Sequence, residues 1–201
     1  MARIKLTKNE LKAQRDALRR FERYLPTLQL KKQQLQLEVR QYEARVETLR
    51  ARERERMEAI GAWVRLFSEP VELDRYIRVR EVVREDGNIA GVPVPTVRDV
   101  VFDREEPDLF ATPAWVDDAI EALEELLRVR IERETAEIGL DRLTAELRTT
   151  NQRVNLFEKV KIPEAKENLR RIRIFLGDQM TAAVARSKIA KGKSAARDEA
   201  A

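Results

Sequence analysis

The chain has 201 residues, of which 38% are charged and only 5% aromatic, and it contains no cysteine and no histidine. Disulfides, thiolate metal sites and the commonest general base of enzymes are thereby excluded. Six glycines and seven prolines are few for this length, which favours long helices over a compact domain with many turns. Because no segment approaches the ~18 uninterrupted apolar residues of a membrane span, we expect a soluble, cytoplasmic protein.

The first predicted element is a helix over residues 7–68. Thr7 and Glu10 have the spacing of a capping box, and Pro70 disfavours helical geometry in the residue before it. A heptad repeat runs between these limits, and 13 of its 17 a and d positions are apolar. The pattern predicts a coiled-coil seam on a helix about 90 Å long. Pro26 should kink or break this helix.

Three charged residues, Lys32, Glu53 and Arg56, interrupt the apolar seam. One interpretation is that their side chains simply extend to solvent. The other is that they fix the register of the helices or face a third chain.

The segment after the first helix favours strands. Residues 76–83 are rich in β-branched side chains, Asp86, Gly87 and Asn88 form a turn signal, and residues 89–95 are apolar with two prolines. This order predicts a small β-hairpin with a proline-limited second strand. A connection of this size allows the second helix to return antiparallel to the first.

The second helix should begin at Thr112, which can cap it, with Pro113 in the first helical position and two aspartates in the first turn. The apolar register moves by one residue after Pro163, which predicts a stutter or kink there. A second apolar stripe widens the buried face and should be covered by another protein. It consists of Leu123, Leu127, Ile131 and Ile138.

The predicted fold is therefore mainly α, a long antiparallel two-helix coiled coil with a short β-hairpin between the helices. Four parts follow: an N-terminal helix over 1–68, a hairpin head over 69–111, a C-terminal helix over 112–186 and a basic, mobile tail over 187–201.

Charge is unevenly distributed along this fold. Residues 1–40 carry 11 Lys/Arg against 4 Asp/Glu, whereas residues 101–140 carry 4 against 12. An antiparallel arrangement would bring both basic termini to one end, suited to docking in an acidic protein cavity. The candidate residues for that contact are Arg3, Lys5, Lys8, Lys12, Arg15, Arg186, Lys188 and Lys191.

No catalytic motif is present in the sequence. The six glycines are too scattered for a phosphate loop, and no aromatic residues are interleaved with the basic ones for base stacking. Glu124 and Glu125 could bind a cation, but solvation or a charged partner is the better interpretation. We expect a protein that is not an enzyme, needs no cofactor, and neither binds nucleic acid nor inserts into a membrane.

Three segments resemble the D-subunit family of V-type (V/A-type) rotary ATPases and ATP synthases. They are residues 25–35 in the first helix, residues 88–95 in the hairpin region, and residues 149–163 in the second helix, which read TTNQRVNLFEKVKIP. Their order and spacing fit that family over nearly the whole chain.

The resemblance implies a central rotor shaft without its own active site. Its termini would stand in the cavity of a ring of A and B subunits, where ATP is hydrolysed or made. The F subunit would bind beside the shaft, and the lower end of the shaft would sit on the funnel-shaped C (or d) subunit, above the membrane rotor ring. The shaft would transmit torque to or from the ion-carrying ring. A prefoldin-like chaperone and a homo-oligomeric helical scaffold are the alternatives.

Overall fold

The computed structural model describes residues 4–61, 73–108 and 112–198. The chain divides into two compact units, one formed by Met1–Leu30 with Thr150–Ala201 and the other by Lys31–Thr149. In chain order the elements are α1 (Lys8–Gly61), α2 (Leu73–Tyr76), β1 (Ile77–Ile89), β2 (Val92–Arg104), α3 (Trp115–Leu156), a π-helical turn (Phe157–Lys161) and α4 (Ile162–Asp198).

Long helices on either side of a two-stranded antiparallel hairpin confirm the predicted fold class. The predicted end of the first helix at residue 68, with the boundary between 68 and 69, lies outside the described residues. None of the described helices combines the length and apolar character needed to cross a membrane.

Helix α1 begins as its capping signal predicts. The Thr7 hydroxyl oxygen accepts a hydrogen bond from the Glu10 backbone N–H at 3.3 Å, and the Thr7 carbonyl accepts one from Leu11 at 3.0 Å. Pro26 lies inside α1 without ending it, so the structure does not show the break that was one predicted outcome. Nearby, the Thr27 hydroxyl donates to the Tyr24 carbonyl at 2.8 Å.

In the unit over residues 31–149, α1 packs antiparallel against α3. Lys31 pairs with Glu146 and Arg56 pairs with Glu125, so residue numbers rise on one helix as they fall on the other. The side chains that α1 buries here occupy the a and d positions of the predicted heptad, which confirms the seam. They are Leu35, Val39, Tyr42, Val46, Leu49 and Ile60.

The turn of the hairpin is not at residues 86–88, and that prediction was wrong. Strand β1 continues to Ile89, and the turn is formed by Ala90 and Gly91, both with positive φ, of 51° and 83°. Two such residues suit the twist of a tight hairpin, and the Asn88 side chain accepts a hydrogen bond from the Gly91 N–H at 2.9 Å. This register places Val92 and Val94 on one strand face, where both are buried.

The hairpin packs along α3 at three levels. At its base, Ile77 clusters with Val116 and Ile120. In its middle, the Arg128 guanidinium lies 5.0 Å from the centre of the Phe102 ring and 3.6 Å from an Asp99 carboxylate oxygen.

At its tip, the hairpin completes a core shared by three elements. Val92 and Val94 of β2 cluster with Leu143 of α3 and with the α1 side chains Leu35 and Tyr42. The first residues of β2 therefore join both helices of this unit.

In the other unit, residues up to Leu30 pack against the end of α3 and against α4. The Phe21 and Phe157 rings lie 5.2 Å apart, and Asn168 donates a hydrogen bond to Gln14 at 3.5 Å. The buried side chains on this partner include Val154, Ala165, Leu169 and Ile172.

The helical irregularity predicted near Pro163 is present as the π-helical turn Phe157–Lys161. A π turn adds one residue to an α-helix, which accounts for the one-residue shift in the apolar pattern. Helix α4 continues to Asp198, so helical structure extends past residue 186, where the helix was predicted to give way to a tail. The predicted mobility of residues 187–201 stays a prediction.

Candidate interaction surfaces

Four of the basic candidates lie at the start of α1, in the unit formed by residues 1–30 and 150–201. Lys8, Lys12 and Arg15 line an open depression of about 550 Å³ together with Met180 of α4. Lys5 lies just before the helix and is exposed. The structure thus brings these α1 residues to one side of α4, whereas Arg3 lies outside the described residues.

The other basic candidates, Arg186, Lys188 and Lys191, lie on the continuation of α4. Every side chain from Gly177 to Ser194 is exposed. No aspartate or glutamate occurs between Asp178 and Asp198, while Met180, Val184 and Ile189 expose more than half of their surface. We use the term basic surface for Lys5, Lys8, Lys12, Arg15, Arg186, Lys188 and Lys191. Its chemistry suits an acidic protein partner with apolar contacts.

An ion-pair cluster crosses the helices of the other unit. Arg133 of α3 donates from Nε to Glu53 of α1 at 2.5 Å and from Nη1 to Glu137 at 2.7 Å, and Glu137 also accepts from Arg50 of α1 at 2.9 Å. Only 18% of the Arg133 side chain is exposed. Glu53, which interrupts the apolar seam, therefore bridges α1 and α3.

Local hydrogen bonding shifts the pKa values in this cluster. Partial burial by itself would raise the pKa of Glu137, but hydrogen bonds from Arg50 and Arg133 outweigh it and lower that pKa below its ordinary value. Burial likewise opposes the charge on Arg133, yet hydrogen bonds to Glu137 and Glu53 raise its pKa. Both shifts favour the charged forms of Glu137 and Arg133, and the hydrogen bonds across the cluster favour one alignment of the two helices.

Arg56 and Lys32, the other two charged residues of the seam, are also not simply solvated. Arg56 forms an ion pair with Glu125 at 2.8 Å, and Lys32 is half-buried. Arg133 and Glu137 were not identified from the sequence as members of this cluster. A signal was available, because a glutamate at an a position that does not extend to solvent needs a cation on the facing helix.

The apolar stripe of α3 is divided between two environments. Leu123 packs against the cluster of Ile77, Val116 and Ile120, which joins the base of the hairpin to α3. Leu127 lines an open groove between α1 and α3. Ile131 is half-buried, and 43% of Ile138 is exposed.

The acidic pair considered as a cation site has cationic neighbours instead. Glu124 accepts a hydrogen bond from Arg128 at 2.9 Å, and Glu125 pairs with Arg56. Among the residues that the structure describes, no group of three or more Asp or Glu is placed to hold a metal ion.

Comparison with known proteins identifies the family. The family model of the ATP synthase D subunit matches residues 10–192. The chain belongs to this family. A protein of Borreliella burgdorferi, named as the D subunit of a V-type ATP synthase, is 47% identical over 191 residues, which cover 95% of each chain.

More distant relatives also align along nearly their whole length. The D subunit of a V-type ATP synthase from Chlamydia abortus is 36% identical over 202 residues, covering 98% of this chain and 97% of the relative. The one from Chlamydia muridarum is 38% identical over 196 residues, covering 96% of each chain. The three segments that resemble the D-subunit family all lie within the span matched by the family model.

Proposed function

We propose that this chain is the non-catalytic central-stalk subunit of a V-type rotary ATPase or ATP synthase. It would couple ATP hydrolysis or synthesis in a ring of A and B subunits to ion transport across the membrane by transmitting torque. The observation that supports this most directly is that α1 packs antiparallel against a second long helical segment in both units of a chain that belongs to the D-subunit family.

The packing within each unit suits a torque-bearing element. Close-packed seams resist deformation, because displaced side chains lose many contacts at once. In the unit over residues 31–149 the seam is supplemented by the hairpin tip, which contacts both helices. Most ion pairs outside the Arg133 cluster are exposed, and each contributes about 0–1 kcal/mol. A surface of this kind would not hold a rotor in one position of its ring.

Two sets of contacts follow from the proposal. The basic surface, with Arg3, would lie in the cavity of the A and B ring, where acidic groups would centre it electrostatically. Leu127, Ile131 and Ile138 would contact other stalk subunits, namely the F subunit or the funnel-shaped C (or d) subunit. Leu123 would support this face from within, since it packs against the cluster that joins the hairpin base to α3. The protein would be cytoplasmic and peripheral to the membrane.

Reconstitution tests the proposal. The A and B ring is assembled with and without this chain, and ATP turnover and rotation of an attached bead are followed. We expect rotation only when the chain is present. A ring that rotates a probe on another stalk protein without this chain would contradict the proposed role.

A charge series tests the basic surface. Replacing Lys5, Lys8, Lys12 and Lys188 with glutamine should weaken the binding of the chain to the ring, with a shallower dependence on salt. The matched control removes charge from the hairpin by changing Arg78, Arg80, Arg84 and Arg98 to glutamine. Equal affinity and equal salt dependence for the two variants would exclude an electrostatic role for the basic surface.

The family match argues against the alternatives. A prefoldin-like chaperone or a homo-oligomeric scaffold would not be expected to align with a V-type D subunit over 95% of its length. Copurification distinguishes the three functions. A rotor shaft should copurify with ring subunits, a chaperone with unfolded client proteins, and a scaffold only with further copies of the chain.

A further inference from the structure

The groove that contains Leu127 has a defined composition. It lies between α1 and α3 in the unit over residues 31–149 and has a volume of about 590 Å³. Met57 contributes from α1, and Leu126 and Leu127 contribute from α3. Met57 exposes 55% of its surface although it stands beside these two leucines. Apolar side chains gathered in a groove and left open to water indicate a contact site for another molecule.

The charges around the groove are not balanced. Four arginines and two glutamates line it, a net charge of 4 − 2 = +2. Both glutamates, Glu53 and Glu137, already accept hydrogen bonds from Arg133, and Glu137 accepts another from Arg50. The carboxylates of the groove are thus neutralised from within the chain.

Two arginines remain available to a partner. Arg54 of α1 has Glu47 at 3.9 Å, with both side chains about two-thirds exposed. Arg130 of α3 has Glu134 of its own helix at 3.2 Å, and both are more than half exposed. Such exposed pairs contribute about 0–1 kcal/mol, so either arginine can exchange its partner at little cost. One arginine stands on each helix that borders the groove.

We infer that this groove binds a helix of a different polypeptide whose apolar residues contact Met57, Leu126 and Leu127 and whose carboxylates pair with Arg54 and Arg130. A groove between two helices can accommodate a third helix, because the side-chain ridges of one helix pack into the grooves of another. The lining residues from Arg50 to Met57 extend about 10 Å along α1, so the bound segment would be about two to three turns long. The inference rests on the proposed function in assuming that the chain works inside a multisubunit complex.

Photocrosslinking in the assembled complex tests the site. Benzoylphenylalanine is placed at Met57 in the full chain, the complex is purified through a tag on a ring protein, and crosslinked peptides are located by mass spectrometry. The matched control carries the same group at Leu37, which is 57% exposed on α1 in the same unit. We expect Met57 to crosslink to a helical segment of another protein of the complex with Asp or Glu within one turn, and Leu37 to miss that segment.

A charge reversal tests the chemistry separately. Arg54→Glu combined with Arg130→Glu should reduce retention of the crosslinked protein at least ~10-fold, the loss expected when two charge-assisted contacts become repulsive. The control reverses two other exposed arginines of the same unit, Arg40 and Arg148. Unchanged retention in the Arg54/Arg130 variant would overturn the electrostatic part of the inference.

The outcomes also separate this inference from the proposed function. If the chain is recovered in the complex but Met57 crosslinks only to a second copy, only within its own chain, or not at all, the groove is not the site. If the chain is absent from the tagged complex altogether, the proposed function fails, and the groove inference fails with it.

Discussion

Gly139 of α3 and Val94 of β2 approach so closely that a side chain at position 139 would have no space. A Cβ atom built on Gly139 would lie 2.8 Å from Val94 Cγ1 and 2.9 Å from Tyr42 Cε1. The carbonyl of the neighbouring Pro93 also accepts a hydrogen bond from Arg142 at 3.1 Å. The missing side chain therefore forms a notch in α3 that receives the hairpin tip.

Replacing Gly139 with alanine should lower the free energy of unfolding by about 1–2 kcal/mol. Overpacking a filled core costs about 1–3 kcal/mol, and the better helix propensity of alanine offsets up to ~1 kcal/mol of that. Urea denaturation measures the change. Amide hydrogen exchange at Val92 and Val94 should accelerate, because the tip is displaced.

Gly177 provides the matched control, since it is helical and a Cβ there meets nothing within 4 Å. Gly177→Ala should stabilise the protein by about 0.5–1 kcal/mol. The double variant Gly139→Ala with Val94→Ala should be more stable than the sum of the single changes predicts. Equal stabilisation by the two glycine replacements would rule out the notch.

The hairpin turn offers a second prediction. Ala90 has a φ of 51°, a left-handed conformation that costs a residue with a Cβ roughly 1–2 kcal/mol. Ala90→Gly should therefore stabilise the protein by about 0.5–1 kcal/mol, after allowing for the greater freedom of glycine in the unfolded chain. Gly91→Ala, at a φ of 83°, should destabilise it by a similar amount. Thermal unfolding followed by circular dichroism measures both, and a destabilising Ala90→Gly would contradict the assigned turn.

The three-element core should be sensitive to loss of volume. Leu143 is completely buried where both helices and the hairpin tip meet. Leu143→Ala should lower the free energy of unfolding by about 2–5 kcal/mol, through lost burial and the cavity left behind. Leu37→Ala, at a side chain 57% exposed, should cost less than ~0.5 kcal/mol. Similar denaturation midpoints for these two variants would show that the core does not contribute as described.

Acid should weaken the Arg133 cluster. The pKa of Glu137 is lowered in the folded state by its hydrogen bonds from Arg50 and Arg133, against the effect of burial. Its stabilising contribution is therefore complete above the unfolded-state pKa of about 4.3 and is lost as the pH falls through the lower folded-state value. Glu137→Gln should cost about 1 kcal/mol at pH 7 and should lose less stability than the parent below pH ~4.

Urea denaturation across a pH series measures that difference. Glu43→Gln, at an exposed position of α1 in the same unit, serves as the control and should follow the parent at every pH. Parallel curves for Glu137→Gln and the parent would mean that the carboxylate contributes nothing through its charge.

The helical part of this fold was predictable because its signals are local and periodic. The cap at Thr7 and the seam through Leu35, Val39 and Tyr42 follow from spacing alone. The shift of the apolar register near Pro163 likewise marks the π turn that immediately precedes it along the chain. These features depend on the order of residues within one helix.

The contacts between elements were not predictable in the same way. The Asp86-Gly87-Asn88 signal was overridden because a turn at Ala90 and Gly91 buries Val92 and Val94 together. The sequence does not show whether a single glycine in a helix makes room for another element. The role of Gly139 is visible only in the structure, where Val94 lies against it. The partners of Arg133 likewise require the alignment of α1 with α3.

The hairpin is attached to α3 at both its base and its tip, so the length of the strands must match the length of the helix between these two contacts. From Ile120 to Gly139, α3 advances about 28 Å at ~1.5 Å per residue. Strand β1 covers a similar span from Ile77 to Gly87, about 33 Å at ~3.3 Å per residue, and the one bulge in β1, at Arg80, takes up part of the excess. Adding one residue to each strand thus corresponds to roughly two added residues of helix. Relatives that lengthen or shorten both strands by one residue should therefore also lengthen or shorten this part of α3 by about two residues. An insertion in the strands without a change in α3 should form a further bulge.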